Sequence, residues 1–246
     1  MYVAGLTDVG VVRSQNEDAI FFSNAPIGPL PNLYIVADGM GGHNAGEVAS
    51  QQTIEVVSNY FLNYQESTQQ DNYLDLMVSA VQEANSSVFA KSEANPSMSG
   101  MGTTITACVI SNGKVYVAHV GDSRTYTIAP NRITRITTDH TYVEELVMRG
   151  EITAEEARTH ARKNVLNRAL GTQPLCEVDG IVEELLDTSA VLLCSDGLSN
   201  MLEDNVLMNI VNSMGYVEQR VKMLVDEANH RGGHDNISAI LIDVSR

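Results

Sequence analysis

Thr103-Thr104-Ile105-Thr106-Ala107-Cys108-Val109-Ile110-Ser111-Asn112-Gly113-Lys114-Val115-Tyr116-Val117-Ala118-His119-Val120 reads as two β-rich runs joined by an Asn-Gly pair. That pair accepts the positive φ angles of a tight hairpin turn, so the two runs pair antiparallel. Val115, Val117 and His119 fall on one side of the second run and Tyr116, Ala118 and Val120 on the other. The alternation predicts a strand buried on both faces, with His119 a hydrogen-bonded core residue rather than a ligand. Two further β-like runs follow at 124–128 and 132–137, and three precede the hairpin near 2–8, 18–23 and 32–37. Two long amphipathic helices separate these groups. One, near 46–63, carries Val48, Ala49, Val56, Val57, Tyr60 and Phe61, and the other, near 71–91, carries Leu74, Met77, Val78, Val81, Ala84 and Val88. Residues 139–162 are more polar and helical, with Thr153-Ala154-Glu155-Glu156 fitting a capping box. A strand near 190–195, helices near 203–212 and 216–230, and a strand near 236–243 close the chain. Runs of strands and runs of helices without strict alternation predict an α+β protein, with antiparallel sheets packed together and helices outside.

Composition sets outer bounds. The chain has 246 residues, 43% of them hydrophobic, enough for a sizeable core. Only 6 residues are Pro, and no Ser, Gly or Pro run or internal repeat breaks the chain, so a single domain over 1–246 is expected. With 15 Lys and Arg against 31 Asp and Glu the net charge is -16, which repels a polyanionic duplex or an anionic membrane. Nucleic acid and membrane are therefore excluded as partners, whereas a phosphate remains accessible if divalent cations supply positive charge locally. The N-terminus lacks a basic segment followed by an apolar core, and no apolar run approaches the roughly 20 residues of a membrane span, so a cytoplasmic protein is expected. Of the three Cys, Cys108 and Cys194 lie in strand-like runs and Cys176 follows a Pro-containing loop; all are expected reduced, and no zinc-type spacing occurs.

Five scattered motifs carry Asp: Arg13-Ser14-Gln15-Asn16-Glu17-Asp18, Ala37-Asp38-Gly39-Met40-Gly41-Gly42-His43, Gly121-Asp122-Ser123-Arg124, Ser195-Asp196-Gly197 and Gly233-His234-Asp235-Asn236. Carboxylates so far apart converge only if the fold brings several strand ends together, and converging carboxylates repel unless a cation sits among them. Asp-Gly is first a turn signal, and Asp179-Gly180, with no apolar strand leading into it, is read as a turn. Asp38 and Asp196 differ because each ends an apolar run, Leu33 to Ala37 and Val191 to Cys194. A carboxylate at the end of a buried strand is rigidly held, and Gly39 is expected to turn the backbone sharply and offer a carbonyl oxygen to the same ion.

Taken together, these motifs resemble the metal-dependent type 2C family of protein serine/threonine phosphatases, in particular its short single-domain bacterial branch. The resemblance runs from Thr7-Asp8-Val9-Gly10 to Ile237-Ser238-Ala239-Ile240 and includes Asn164-Val165-Leu166-Asn167-Arg168-Ala169-Leu170-Gly171. It implies a four-layer αββα sandwich, two antiparallel sheets flanked by helix pairs, with a helical lid (flap) at about 139–175. It implies that Asp38 bridges two ions, that Asp196 and Asp235 complete one ion's shell, and that the Gly39 carbonyl serves the other, which Asp18 contacts mainly through water. Asp122, with Asp196 shared, matches the ligands of a third, weaker ion. Arg13 matches the family's phosphate-binding guanidinium. The implied cofactor is Mn²⁺ or Mg²⁺, and the implied reaction is in-line attack of a metal-bridging hydroxide on phosphoserine or phosphothreonine with no phosphoenzyme, so that Ser123 and the Cys are dispensable. Where eukaryotic members have a His directly after Asp-Gly this chain has Met40, and the nearest His is His43, a donor of the leaving-group proton or a support for the helix that begins near Ala45. Implied partners are phosphorylated proteins and a cognate Ser/Thr kinase, with the enzyme a monomer. Rival readings are a nucleotide-binding module, disfavoured because Gly39-Met40-Gly41-Gly42-His43-Asn44 is not GxGxxG, a catalytically silent phosphoprotein-binding relative, and a metal-dependent hydrolase of another phosphoester.

Overall fold

A computed structural model of the chain describes residues 1–41, 45–64 and 72–244. In chain order its elements are β1 (Tyr2–Asp8), β2 (Asp18–Ser23), β3 (Leu33–Met40), α1 (Ala45–Leu62), α2 (Tyr73–Ala94), β4 (Gly102–Thr103), β5 (Ile105–Ser111) and β6 (Lys114–Val120). There follow β7 (Arg124–Ala129), β8 (Arg132–Arg135), α3 (Tyr142–Met148), α4 (Ala154–Thr159), β9 (Asp179–Glu184), β10 (Ala190–Cys194), α5 (Asp196–Ser199), α6 (Asp204–Val211), α7 (Val217–His230) and β11 (Ile237–Asp243). The strands form two antiparallel sheets, one ordered β1-β11-β10-β7-β8 and the other β2-β3-β5-β6-β9, with β4 paired to β3.

Period-two alternation builds the layers. Along β3, Tyr34 and Val36 point between the sheets, where they meet Val191 and Leu193 of β10 and Ile240 and Ile242 of β11. The alternate residues Leu33 and Ile35 point outward onto Phe61, Met77, Val81 and Ala84 of α1 and α2. The second sheet does the same: Tyr126, Leu192 and Leu241 turn away from the interior onto Leu207, Leu224 and Val225 of α6 and α7. Helix, sheet, sheet, helix is thus the expected αββα order, and burying both faces of each sheet explains why central strands such as β10 are continuous apolar runs.

Local chemistry places the ends. Asn112 at φ 52° and Gly113 at φ 72° form the hairpin turn, with Ser111 opposite Lys114. Asn72 caps α2, its side-chain oxygen accepting the Leu74 N–H at 2.6 Å. The Thr153 capping box of α4 forms, with the Thr153 N–H on Glu156 at 2.7 Å and the Glu156 N–H on Thr153 Oγ1 at 3.2 Å. His119 is fully buried with Nε2 3.1 Å from the Thr138 carbonyl, a core residue as expected. Cys108 and Cys194 are buried, Cys176 is half-buried, and all three are free thiols.

Three expectations are corrected. Asp179-Gly180 is no turn but the start of β9, an edge strand whose sequence, Asp-Gly-Ile-Val-Glu-Glu, hides behind the exposed charges that edges favour. The run expected at 132–137 ends at Arg135. Gly39 does not turn the chain, because β3 continues through it to Met40, with Gly39 opposite Thr103. Among the described residues, no helix is long and apolar enough to cross a membrane.

Candidate metal centre

The cleft lies at one end of the sandwich. β2 and β3 pair with Asp18 directly opposite Asp38. The backbone of Asp38 is held by its neighbours: its N–H donates to Thr104 Oγ1 at 3.0 Å, and its carbonyl accepts the Thr104 N–H at 2.8 Å and Thr103 Oγ1 at 2.9 Å. Gly39 is required for close approach. A Cβ there would stand 2.1 Å from the Gly46 carbonyl oxygen and 2.5 Å from that of Glu17, so the first turn of α1 sits on the strand only if the residue is Gly. From the other sheet, Asp196 opens α5 directly after β10, and Asp235 lies just before β11. Asp122 follows β6 on a turn whose Gly121 adopts φ 108°.

Arg13, Glu17, Asp38, Gly39, Asp122, Asp196 and Asp235 line one cavity of about 290 Å³, with Met40, Thr104, Asn164 and Leu166 among its other walls. Asp18 is buried behind it, one oxygen accepting the Ser195 hydroxyl at 2.7 Å and the other, Oδ1, without a hydrogen-bond partner. The sequence-predicted residues are therefore brought together, except that His43 lies outside the described residues. A second hollow of about 330 Å³, reaching from Asp122 and Asp196 to α3 and α4, adjoins the first.

Burial pushes these carboxyls up: Asp18 to about 7 and Asp196 to about 6, with neighbouring carboxylates adding to the shift. Asp38 and Asp122 are also driven well above the usual range, Asp38 by burial and then by the charges of Asp18, Asp196, Asp122 and Asp235. Buried carboxyls whose proton affinities are raised by burial first and by neighbouring carboxylates after it form a site short of positive charge. Its donors are carboxylates and carbonyls, hard oxygen ligands of the kind Mg²⁺ and Mn²⁺ take. Asp18 Oδ1, buried and unpartnered, is one such donor. Among the described residues, no group of three or more His, Cys, Asp or Glu is placed as it stands so that it could hold a metal ion. Protein hydrogen atoms take the lone pairs instead: Arg13 Nη2 lies on Asp235 at 2.7 Å, Asn200 Nδ2 on Asp196 at 3.0 Å and Ser195 on Asp18.

Sequence reasoning missed the scaffold of the site. Thr104, which holds the Asp38 backbone, is uncharged and carries no spacing signal, and Asn236, though it stands in the Gly233-His234-Asp235-Asn236 motif, is an uncharged residue whose bonds to the Arg13 loop that motif does not reveal. Arg124 was within a quoted motif and is equally structural: it grips buried Asp139 with Nε 3.0 Å from Oδ1 and Nη2 2.6 Å from Oδ2.

Residues 11–232 match the family described as Protein phosphatase 2C. The chain belongs to that family. The match to protein phosphatase 2C extends to full-length relatives. The chain is 36% identical to the serine/threonine phosphatase stp of Listeria monocytogenes serovar 1/2a over 244 residues, covering 99% of this chain and 96% of the relative. The crystal structure of the serine/threonine phosphatase Stp1 from Staphylococcus aureus superposes with a TM-score of 0.92 at 31% identity, covering 99% of this chain and 95% of that one. The catalytic domain of the phosphatase PstP, solved with two manganese ions, superposes at 0.84 with 33% identity over 98% of this chain and 97% of its own. As a protein phosphatase 2C, the chain is an enzyme with the fold of these bacterial phosphatases.

Proposed function

We propose that this protein phosphatase 2C hydrolyses phosphoserine and phosphothreonine in proteins, as one catalytic domain over residues 1–246 with residues 139–175 as a lid, opposing a Ser/Thr kinase. The reading rests on one observation: Asp38, Asp122, Asp196 and Asp235, from four separate segments, line a single cavity with Arg13 at its rim. Asp38 would bridge two divalent ions, Mn²⁺ or Mg²⁺, with Asp196 and Asp235 on one of them and the Gly39 carbonyl and, through water, Asp18 on the other. Asp122 and Asp196 would hold a third, weaker ion. Such ions supply Lewis-acid charge at the phosphoryl group and lower the pKa of an attacking water.

The chain's own residues bind and orient. The Arg13 side chain is about half exposed (49%) and, among the described residues, forms its ion pair with Asp235, so a phosphate dianion at the cleft mouth meets an accessible guanidinium fork. Burial with Thr104 keeps Ser123 from acting as a nucleophile: its Oγ lies 2.8 Å from Thr104 Oγ1 and is fully covered. Burial also pushes the Cys194 thiol up to about 12, far from a reactive thiolate. Covalent transfer to the protein therefore has no competent acceptor among these residues, which favours direct hydrolysis. The experiment is phosphate release from a phosphothreonine peptide by metal-stripped protein, with and without added Mn²⁺, repeated for Asp38→Ala. Mn²⁺-dependent release that vanishes in the variant is expected. Absence of release from folded protein that still binds Mn²⁺ would overturn the proposal in favour of a silent phosphoprotein-binding relative or a metal-dependent hydrolase of another phosphoester.

A further inference from the structure

Behind the Asp122 turn stands a buried polar cluster that the phosphatase reading leaves unused. His140, buried directly before α3, clamps Gly121 on both sides. Its backbone N–H donates to the Gly121 carbonyl at 2.8 Å, and its ring Nδ1 accepts the Gly121 N–H at 3.0 Å. Those two groups belong to the two peptide planes flanking the Gly121 Cα, so one residue fixes both backbone torsions there. Gly121 is suited to being held this way: it sits at φ 108°, and a Cβ would stand 2.5 Å from Thr104 Cγ2. The next side chain along the chain is the Asp122 carboxylate.

The ring's chemistry is set by its partners. A nitrogen that accepts an N–H carries no proton, so the imidazole is neutral with its proton on Nε2, which donates to Asp179 Oδ2 at 3.2 Å. Arg168 Nη1 lies 3.1 Å from the same nitrogen, but a protonated Nε2 accepts nothing, and the guanidinium gives its hydrogen to Asp179 Oδ1 at 2.5 Å. Burial holds His140 below the ordinary imidazole range, in keeping with a neutral ring. The later part of the lid is tied to its beginning at the same place. Asn167 N–H donates to the His140 carbonyl at 2.8 Å, and Tyr142 N–H to the Val165 carbonyl at 2.8 Å.

We propose that His140 is a positioning residue: its ring acceptor sets the Gly121–Asp122 backbone, and so the aim of the Asp122 carboxylate, and Asp179 of β9, paired with Arg168 of the lid, orients that ring. The proposal rests on the reading of Asp122 as an ion ligand. Removing the acceptor frees the Gly121 N–H and lets the turn rotate, whereas a purely space-filling role would not distinguish side chains by where their acceptor sits.

Two substitutions separate these cases. His140→Asn places its carbonyl oxygen where Nδ1 stood and keeps the clamp; His140→Gln places its amide where Nε2 stood and loses it. Mn²⁺ alone is titrated into metal-stripped protein and followed by electron paramagnetic resonance, and the binding step that depends on Asp122 is identified with Asp122→Ala. We expect that step to weaken about tenfold in His140→Gln and to stay within about twofold of wild type in His140→Asn, the scale of lost outer contacts to metal ligands. In ¹⁵N-labelled metal-free wild-type protein, a scalar coupling across the hydrogen bond between the Gly121 amide nitrogen and His140 Nδ1 is expected. A His140→Gln titration like wild type, equal weakening in both variants, or absence of the coupling overturns the positioning role alone. An Asp122→Ala variant that binds Mn²⁺ like wild type overturns the ion-ligand reading on which it rests.

Discussion

Replacing Asn236 with Ala strikes the scaffold of the site without touching a carboxylate. Asn236 is 4% exposed and makes three hydrogen bonds to one loop: its Oδ1 accepts the Glu17 N–H at 2.8 Å, and its Nδ2 donates to the Val9 carbonyl at 2.9 Å and the Gln15 carbonyl at 2.8 Å. That loop carries Arg13. Each such bond contributes about 1 kcal/mol net, and each backbone group left dry costs about 1–3 kcal/mol, so three bonds put the loss at about 3 kcal/mol or more. Against a total stability of about 5–15 kcal/mol this is a large fraction. Urea unfolding of metal-stripped protein should show the midpoint falling with an unchanged slope, which marks a loss of stability rather than a change in the denatured state. With the loop untied, phosphate release at saturating Mn²⁺ should show a raised KM, because Arg13 no longer stands at a fixed distance from Asp235. Asn236→Asp should be no better, since it keeps the acceptor for Glu17, loses both donors and adds a buried carboxylate beside Asp235. A loss below about 1 kcal/mol in Asn236→Ala would refute the argument, because it would mean that water or rearranged partners satisfy the loop without this side chain.

The metal-stripped protein should become less stable as pH rises. Asp18 and Asp196 titrate at about 7 and about 6 in the fold against 3.8 ordinarily, so the folded state binds protons more tightly, and this contribution is complete below about 3.8 and lost as pH climbs through about 6 to 7. For Asp18 alone the span corresponds to about 4 kcal/mol, and a melting temperature of metal-free protein that rises between pH 5 and pH 8 would contradict it. Gly39→Ala should lose about 3 kcal/mol or fail to fold, because its Cβ meets two backbone oxygens, whereas Gly113→Ala, at φ 72° with nothing nearby, should lose only about 1 kcal/mol; equal stabilities by chemical denaturation would refute the close-approach account. Ser123→Ala should keep turnover within about tenfold, the scale of one lost hydrogen bond, and trapping a phosphoenzyme that depends on Ser123 would overturn direct hydrolysis.

The sandwich was legible wherever burial imposed a period. β5 and β6 announce themselves through Asn112-Gly113 and two-sided apolar runs, and α1 and α2 through stripes at spacings of three and four. β9 was not legible because an edge strand needs few apolar residues: Asp179 reads as half of a turn signal until its bonds to Arg168 and His140 are known. Gly39 shows the same limit. An Asp-Gly pair is identical in sequence whether Gly serves a turn or the seating of a helix on a strand, and only the Gly46 and Glu17 carbonyls decide between them.

The acids of the site were legible because charge is conspicuous, but what makes them a site is the uncharged scaffold. Thr104 fixes the Asp38 backbone, Ser195 takes one oxygen of Asp18, and Asn236 ties down the loop of Arg13. Hydroxyls and amides hold carboxylates in place without neutralising them, and cations relieve the cluster's repulsion only in part: Arg13 meets Asp235 from a half-exposed position and Arg124 eases Asp122 and Asp196, yet burial keeps both carboxyls raised. A site built in this way is preorganised and electrostatically unsatisfied at once. Cation binding to the folded state alone adds stability by mass action, and it competes with the protons that raised carboxyls hold near neutral pH. The stabilisation conferred by a fixed concentration of Mn²⁺ should therefore grow as pH rises from 5 to 8, over the window in which metal-free protein weakens. A site assembled from a flexible loop would add ordering entropy to this balance and show a smaller gain at every pH, so the size of the Mn²⁺-induced rise in melting temperature reports on preorganisation, while its growth with pH reports the protons displaced.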